Sequence, residues 1–121
     1  MAAKIEDAIM RAVIRHVKET YGNKIIIHAT RNESLRYDTD MMGEKGITDL
    51  LIFKPDKILF LELKRKNGKL SKDQKIFNAK FDDCFASNIL SRAVGYGYEE
   101  SIKIINDWYF TPRPEIYYQM L

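Results

Sequence analysis

A chain of 121 residues, 45% of them hydrophobic, is sized for one domain covering residues 1–121, which should bury about two thirds of its unfolded surface. No apolar run nears the roughly 20 residues a membrane-spanning helix needs, and "MAAKIEDAIM" lacks the basic and apolar blocks of a signal peptide, so a cytoplasmic protein without membrane contact is expected. The net charge of +3 is small, but between Lys57 and Lys80 a run of Lys57, Lys64, Arg65, Lys66, Lys69, Lys72, Lys75 and Lys80 is opposed only by Glu62 and Asp73. Such a run is usually a solvated face, and beside a reactive site it suits a phosphate backbone.

In chain order, Ile5, Ile9, Ala12, Val13 and Val17 recur at helical spacing and predict an amphipathic helix from Ala3 to Glu19, ended by Tyr21-Gly22-Asn23. "KIIIHA" reads as a short strand. Residues 30–46 have no clear period and form a long polar loop carrying Arg31, Arg36 and Lys45. "TDLLIF" and "KILFLELK" are strands joined by the turn Lys54-Pro55-Asp56-Lys57, which makes a hairpin. After the basic loop "RKNGK" comes a helix from about Ser71 to Ser87, then the strand "ILSRAV", a turn at Gly95-Tyr96-Gly97 and a last helix from about Tyr98 to Trp108. Cys84 is the only cysteine, so neither a disulfide framework nor structural zinc is available, and its helical surroundings mark it as a core thiol.

A hairpin centred on Pro55 and Asp56 sets Phe53 against Ile58, Leu51 against Phe60, and Asp49 against Glu62. Directly opposed carboxylates destabilise a sheet unless something cationic lies between them. Strand alternation brings Lys64 to the same side. Both faces are otherwise apolar, so helices should cover both. Glu6 falls within the apolar arc of the first helix and points inward, although an acid near a helix N-terminus is also explained by the helix dipole. Gln74 has two readings as well: Ser71-Lys72-Asp73-Gln74 matches a capping box, yet Gln74 shares a helix face with Phe77, Phe81, Cys84 and Phe85. A Mg²⁺ ion, for which Mn²⁺ would substitute, satisfies the acids together: Asp49, Glu62, Glu6 and the Leu63 carbonyl are candidate ligands, and Lys64 can hold or deprotonate the attacking water. Without a metal, Lys64 would simply form an ion pair with one of the two acids.

Asp49 followed by Glu62-Leu63-Lys64, with an acid on the preceding helix, resembles the active site of the PD-(D/E)xK nuclease superfamily. Gly46, Asp49, Glu62, Lys64, Gly68, Leu70, Ser71 and Gln74 together resemble its VRR-Nuc branch, over most of the chain; Thr48 stands where the superfamily's name expects Pro. The resemblance implies an α/β fold of restriction-endonuclease type, an α-β-β-β-α-β core with a mixed central sheet flanked by helices. It implies a divalent metal and hydrolysis of phosphodiester bonds in DNA, with Asp49, Glu62, Lys64 and Gln74 catalytic. DNA contacts then fall to Arg31, Arg36, Lys45, Arg65, Lys66, Lys69 and Lys72. Minimal members are similar to Holliday-junction resolvases, which implies branched DNA as substrate and a homodimer. The apolar tail "EIYYQML" with Tyr96, Tyr98, Trp108, Tyr109 and Phe110 would serve such an interface. The alternative is a noncatalytic nucleic-acid-binding module or a nuclease-fold subunit of a larger assembly.

Overall fold

The computed structural model describes residues 2–30 and 43–111, with side chains from residue 5 onward. Helix α1 (Ala2–Tyr21) is followed by a short 3₁₀ turn (Gly22–Lys24), strands β1 (Ile26–Ala29), β2 (Leu50–Lys54) and β3 (Lys57–Lys64), helix α2 (Lys72–Cys84), strand β4 (Leu90–Tyr96) and helix α3 (Tyr98–Phe110). This is the expected α-β-β-β-α-β order with a closing helix. The sheet runs β1-β2-β3-β4, antiparallel except for β3 and β4, which lie parallel because α2 carries the chain across between them.

The hairpin register is the expected one, with Phe53 opposite Ile58 and Leu51 opposite Phe60. One face of the sheet presents Leu50, Ile52, Leu59, Leu61 and Leu63, which pack with Val13 and Val17 of α1 and Ile105 and Trp108 of α3 into a single core. Strand alternation sends Phe60 to the other face, where Phe77 and Phe81 of α2 meet its ring. Trp108, expected at an interface, is buried in the core instead. Among the described residues no helix is long and apolar enough to cross a membrane.

Three local expectations are corrected. Helix α2 stops at Cys84 rather than Ser87, which leaves Cys84 exposed and outside the core. Strand β4 runs on through Gly95 and Tyr96, where the glycines suggested a turn. Gly95 is there for packing: a Cβ on it would lie 2.1 Å from Ser101 Oγ, so its bareness lets α3 seat against the strand. Lys57 leaves the basic run altogether. Its side chain is 5% exposed and its Nζ donates to the carbonyl oxygens of Trp108 (2.6 Å) and Thr111 (2.5 Å). Lys54 Nζ donates to Tyr109 O at 3.1 Å. Helix α3 has no basic residue in its last turn, and these two lysines of the hairpin turn satisfy its terminal carbonyls instead.

Candidate active site

The β2–β3 ladder continues only to Leu50 opposite Leu61, and the site begins where it stops. The next residue, Asp49, turns its carboxylate across the gap, and Oδ2 accepts from the Leu63 backbone N–H at 3.0 Å. Its main chain is held from the β1 side: Thr30 N–H donates to Asp49 O at 2.9 Å, and Thr30 Oγ1 donates to Thr48 O at 2.6 Å. Thr48, where Pro was expected, is fully buried. Thr30 carried no periodicity or motif that would have singled it out.

Glu62 is 2% exposed and lies within hydrogen-bonding reach of the Asp49 carboxyl. Burial pushes its carboxyl from 4.5 up to about 9; the charge of Asp49 and the shared hydrogen bond add to the rise, Lys64 opposes it, and Glu6 adds least. At neutral pH a proton therefore sits on Glu62 when nothing else bridges the pair. Among the described residues, Glu62 Oε1 is buried without a hydrogen-bond donor. An acceptor orphaned in this way, next to a second carboxyl, fits a hard cation that takes oxygen ligands. Glu6 is not gathered into the site as closely as expected. Among the described residues no three His, Cys, Asp or Glu side chains converge on one metal position, so Glu6 acts on Glu62 through its charge.

Gln74 closes the cap and also reaches the Glu62 carboxyl. Its Oε1 accepts from the Ser71 N–H at 2.7 Å and its own N–H donates to Ser71 Oγ at 3.1 Å, which closes the capping box. Because Oε1 must face that N–H, Nε2 faces the site, where it donates to Glu62 Oε2 at 2.6 Å. Glu would close the same box but has nothing to donate. The Gln74→Glu variant is accordingly expected to fold, retain its helix, and lose roughly 10- to 100-fold in activity, as when a group orienting a metal ligand is removed. Cleavage at the wild-type rate would confine Gln74 to capping.

Gly46 holds the loop leading into Asp49 against the helix that carries Gln74. Its φ is +74°, and a Cβ there would lie 2.1 Å from Asp73 O and 2.7 Å from Gln74 N. Arg65, Lys66, Lys69 and Lys72 are all exposed around the β3–α2 connection, and no ion pair joins them to another described residue. Lys45 is exposed on the approach to Gly46, while Arg31 and Arg36 lie outside the described residues. Lys80 pairs with Glu44 at 3.3 Å. The basic run thus divides, with Lys57 occupied at the far end of β3 and Arg65 to Lys72 standing beside Glu62 and Lys64.

No family model matches the chain, and no curated protein does. Among solved structures, a chain described as a VRR_NUC domain protein superposes with a TM-score of 0.65 over 86% of this chain and 87% of that one, at 19% identity. The chain has a VRR_NUC fold. At that identity the likeness speaks for the backbone, and the side chains must be argued from their own geometry. Within the VRR_NUC fold of this chain, Asp49, Glu62, Lys64 and Gln74 come together at the end of the central strands, as the motif spacing led one to expect, with Gly46 and Thr30 as the supports on either side.

Proposed function

We propose that the protein is a cytoplasmic, Mg²⁺-dependent endonuclease that hydrolyses phosphodiester bonds in branched or otherwise distorted DNA. The observation that carries this reading is the buried Glu62 carboxyl beside Asp49, whose Oε1 has no hydrogen-bond partner among the described residues and is open to a cation. Asp49, Glu62 and the Leu63 carbonyl would hold that ion. Bound there, Mg²⁺ would supply an acidified water and charge stabilisation on the phosphate. The chain's own residues do the rest. Gln74 fixes Glu62 through Oε2, which leaves Oε1 free to ligate. Lys64, on the same strand face, holds the attacking water by donating to its oxygen. Arg65, Lys66, Lys69 and Lys72 bind the flanking phosphates.

The test is incubation with duplex, flap and four-way DNA, with Mg²⁺ or chelator. Cutting of the branched substrates only with the metal is expected; no cutting of any of them would leave a binding module. Replacing Lys66, Lys69 and Lys72 with Ala should weaken DNA binding and make the slope of log K against log salt shallower by up to about 0.9 for each phosphate no longer engaged. An unchanged slope would assign these lysines to a solvated face. A single site cuts one strand, so the same reading includes a two-fold homodimer for paired cuts. Phe110, 72% exposed beside Tyr109, supports it as apolar surface at the end of α3, while the tail "EIYYQML" lies outside the described residues. Sedimentation at the 14.2 kDa monomer mass, unchanged by four-way DNA, would exclude that assembly.

A further inference from the structure

Beyond the Asp49–Glu62 pair, the sheet brings one aromatic side chain to the same corner. In the parallel β3–β4 register Glu62 lies beside Val94 and Lys64 beside Tyr96. Two observations fix which way Tyr96 points. Arg92, two positions before Val94, reaches Asp82 of α2 at 2.7 Å, so its face is the one α2 covers and the one bearing the acids. Gly95 is pressed against Ser101 of α3 on the opposite face. By alternation the Tyr96 ring shares the face of Glu62 and Lys64, one strand spacing of about 4.8 Å from the Lys64 backbone.

The backbone around this ring is held firmly. The Gly97 N–H donates to Lys64 O at 2.7 Å, and the Tyr96 N–H donates to Glu100 Oε2 at 2.6 Å. Yet the ring itself is only half-buried, and among the described residues it has neither an aromatic contact nor a hydrogen bond to its hydroxyl. Tyr98 differs, because its ring is engaged edge-on by His16 of α1. Glu99 and Glu100 in the first turn of α3 make this corner unfavourable for phosphate. What it offers a nucleotide is a ring face, with cations supplied from across the gap, where the Lys66 side chain lies 3.3 Å from the position a Gly97 Cβ would take.

We propose that Tyr96 is the stacking platform for an unpaired base next to the scissile phosphate bound between the Asp49–Glu62 site and the Arg65–Lys72 cations. This rests on the phosphodiesterase reading of the site and gives it a basis for selecting DNA with unpaired bases, since a base inside an intact duplex presents no free π-face. The ring acts by positioning the strand and takes no part in proton transfer.

The experiment uses a flap DNA carrying 2-aminopurine at the first unpaired position, titrated in chelator with the wild type, Tyr96→Phe and Tyr96→Leu. The wild type and the Phe variant are expected to quench the probe. Leu should leave it bright and weaken flap binding roughly 10-fold, with fully paired duplex changed less than about 2-fold. Undiminished quenching by Tyr96→Leu, absence of quenching by the wild type, or an equal loss of flap and duplex binding with a lowered melting temperature would each overturn the assignment. Adding Mg²⁺ afterwards separates the two readings: a wild type that quenches the probe but cuts nothing refutes the nuclease assignment and leaves the stacking role standing.

Discussion

In chelator, the Asp49→Asn protein is expected to melt higher than the wild type by a margin that widens as pH rises from about 5 toward 9, and with Mg²⁺ it should cut DNA far more slowly. Glu62 ionises near 4.5 in the unfolded chain and near 9 in the fold. Its contribution to stability is therefore whole below about pH 4.5 and is lost as pH rises toward about 9, because the unfolded chain releases its proton first. Burial is the largest cause of the shift and persists in the variant; the Asp49 charge is the next and disappears. The Asn amide also suits the vacated geometry, since its oxygen can still accept from the Leu63 N–H and its nitrogen can donate to the orphaned Glu62 Oε1. Saturating Mg²⁺ should raise the wild-type melting temperature and leave the variant nearly unmoved, because on the proposed reading only the wild type keeps both carboxylates for the ion. Activity should fall on the order of 10²- to 10³-fold or more, the scale of losing one charge-stabilising group from a transition state. Normal cutting by the variant would remove Asp49 from the ligand set. A lower melting temperature than wild type in chelator at alkaline pH would show that the two acids are not in conflict.

Gly46→Ala is expected to be the most damaging single-methyl change near the site, with Gly22→Ala as its control. Both glycines have positive φ, +74° and +54°, so both substitutions carry the backbone strain of a left-handed residue, about 1 kcal/mol. Around Gly22 nothing lies within 4 Å, whereas at Gly46 the new methyl would overlap the Asp73 carbonyl and the Gln74 nitrogen. Those are backbone atoms of a capped helix start and do not yield as a flexible side chain does. A loss of about 3 kcal/mol or more is expected at Gly46, and cleavage should fall along with it as α2 moves off and takes Gln74 from Glu62. Chemical denaturation of both variants, with activity measured in parallel, reads the difference. Equal losses at the two positions would mean that the contact with Asp73 does not hold α2 in place.

What could be read from the chain was local or periodic. The turn Lys54-Pro55-Asp56-Lys57 with strict alternation on either side determined the hairpin register as far as Leu50 opposite Leu61. The ladder pairing of Asp49 with Glu62 extrapolated from it is not formed, because the ladder ends one residue short and Asp49 turns its carboxylate to the Leu63 N–H instead. Gln74 was legible as both cap and site residue, but nothing in the pattern showed that one amide has two ends and can serve both. The misses share a cause in long-range packing. Lys57 sits in a run of lysines, and only the arrival of α3 from the far end of the chain turns it inward. Gly95 looks like turn punctuation until Ser101 is brought against it. Cys84 falls on the apolar face of α2, but the helix stops there and the sheet no longer lies beneath it. Gly46 and Thr30 support Asp49 through contacts with segments distant in sequence, for which a single chain carries no periodic signal.

The double duty of Gln74 has a thermal consequence. Because the same amide starts α2 and orients Glu62, nucleating the helix and assembling the site are one event. The first turn of a helix opens far more readily than a core built from β2, β3, α1 and α3. As temperature rises, that turn is expected to fray first and take the donor from Glu62 while the tertiary structure is still intact. Inactivation should therefore set in below the melting temperature and reverse on cooling within the time a helix turn takes to re-form, with no refolding of the sheet.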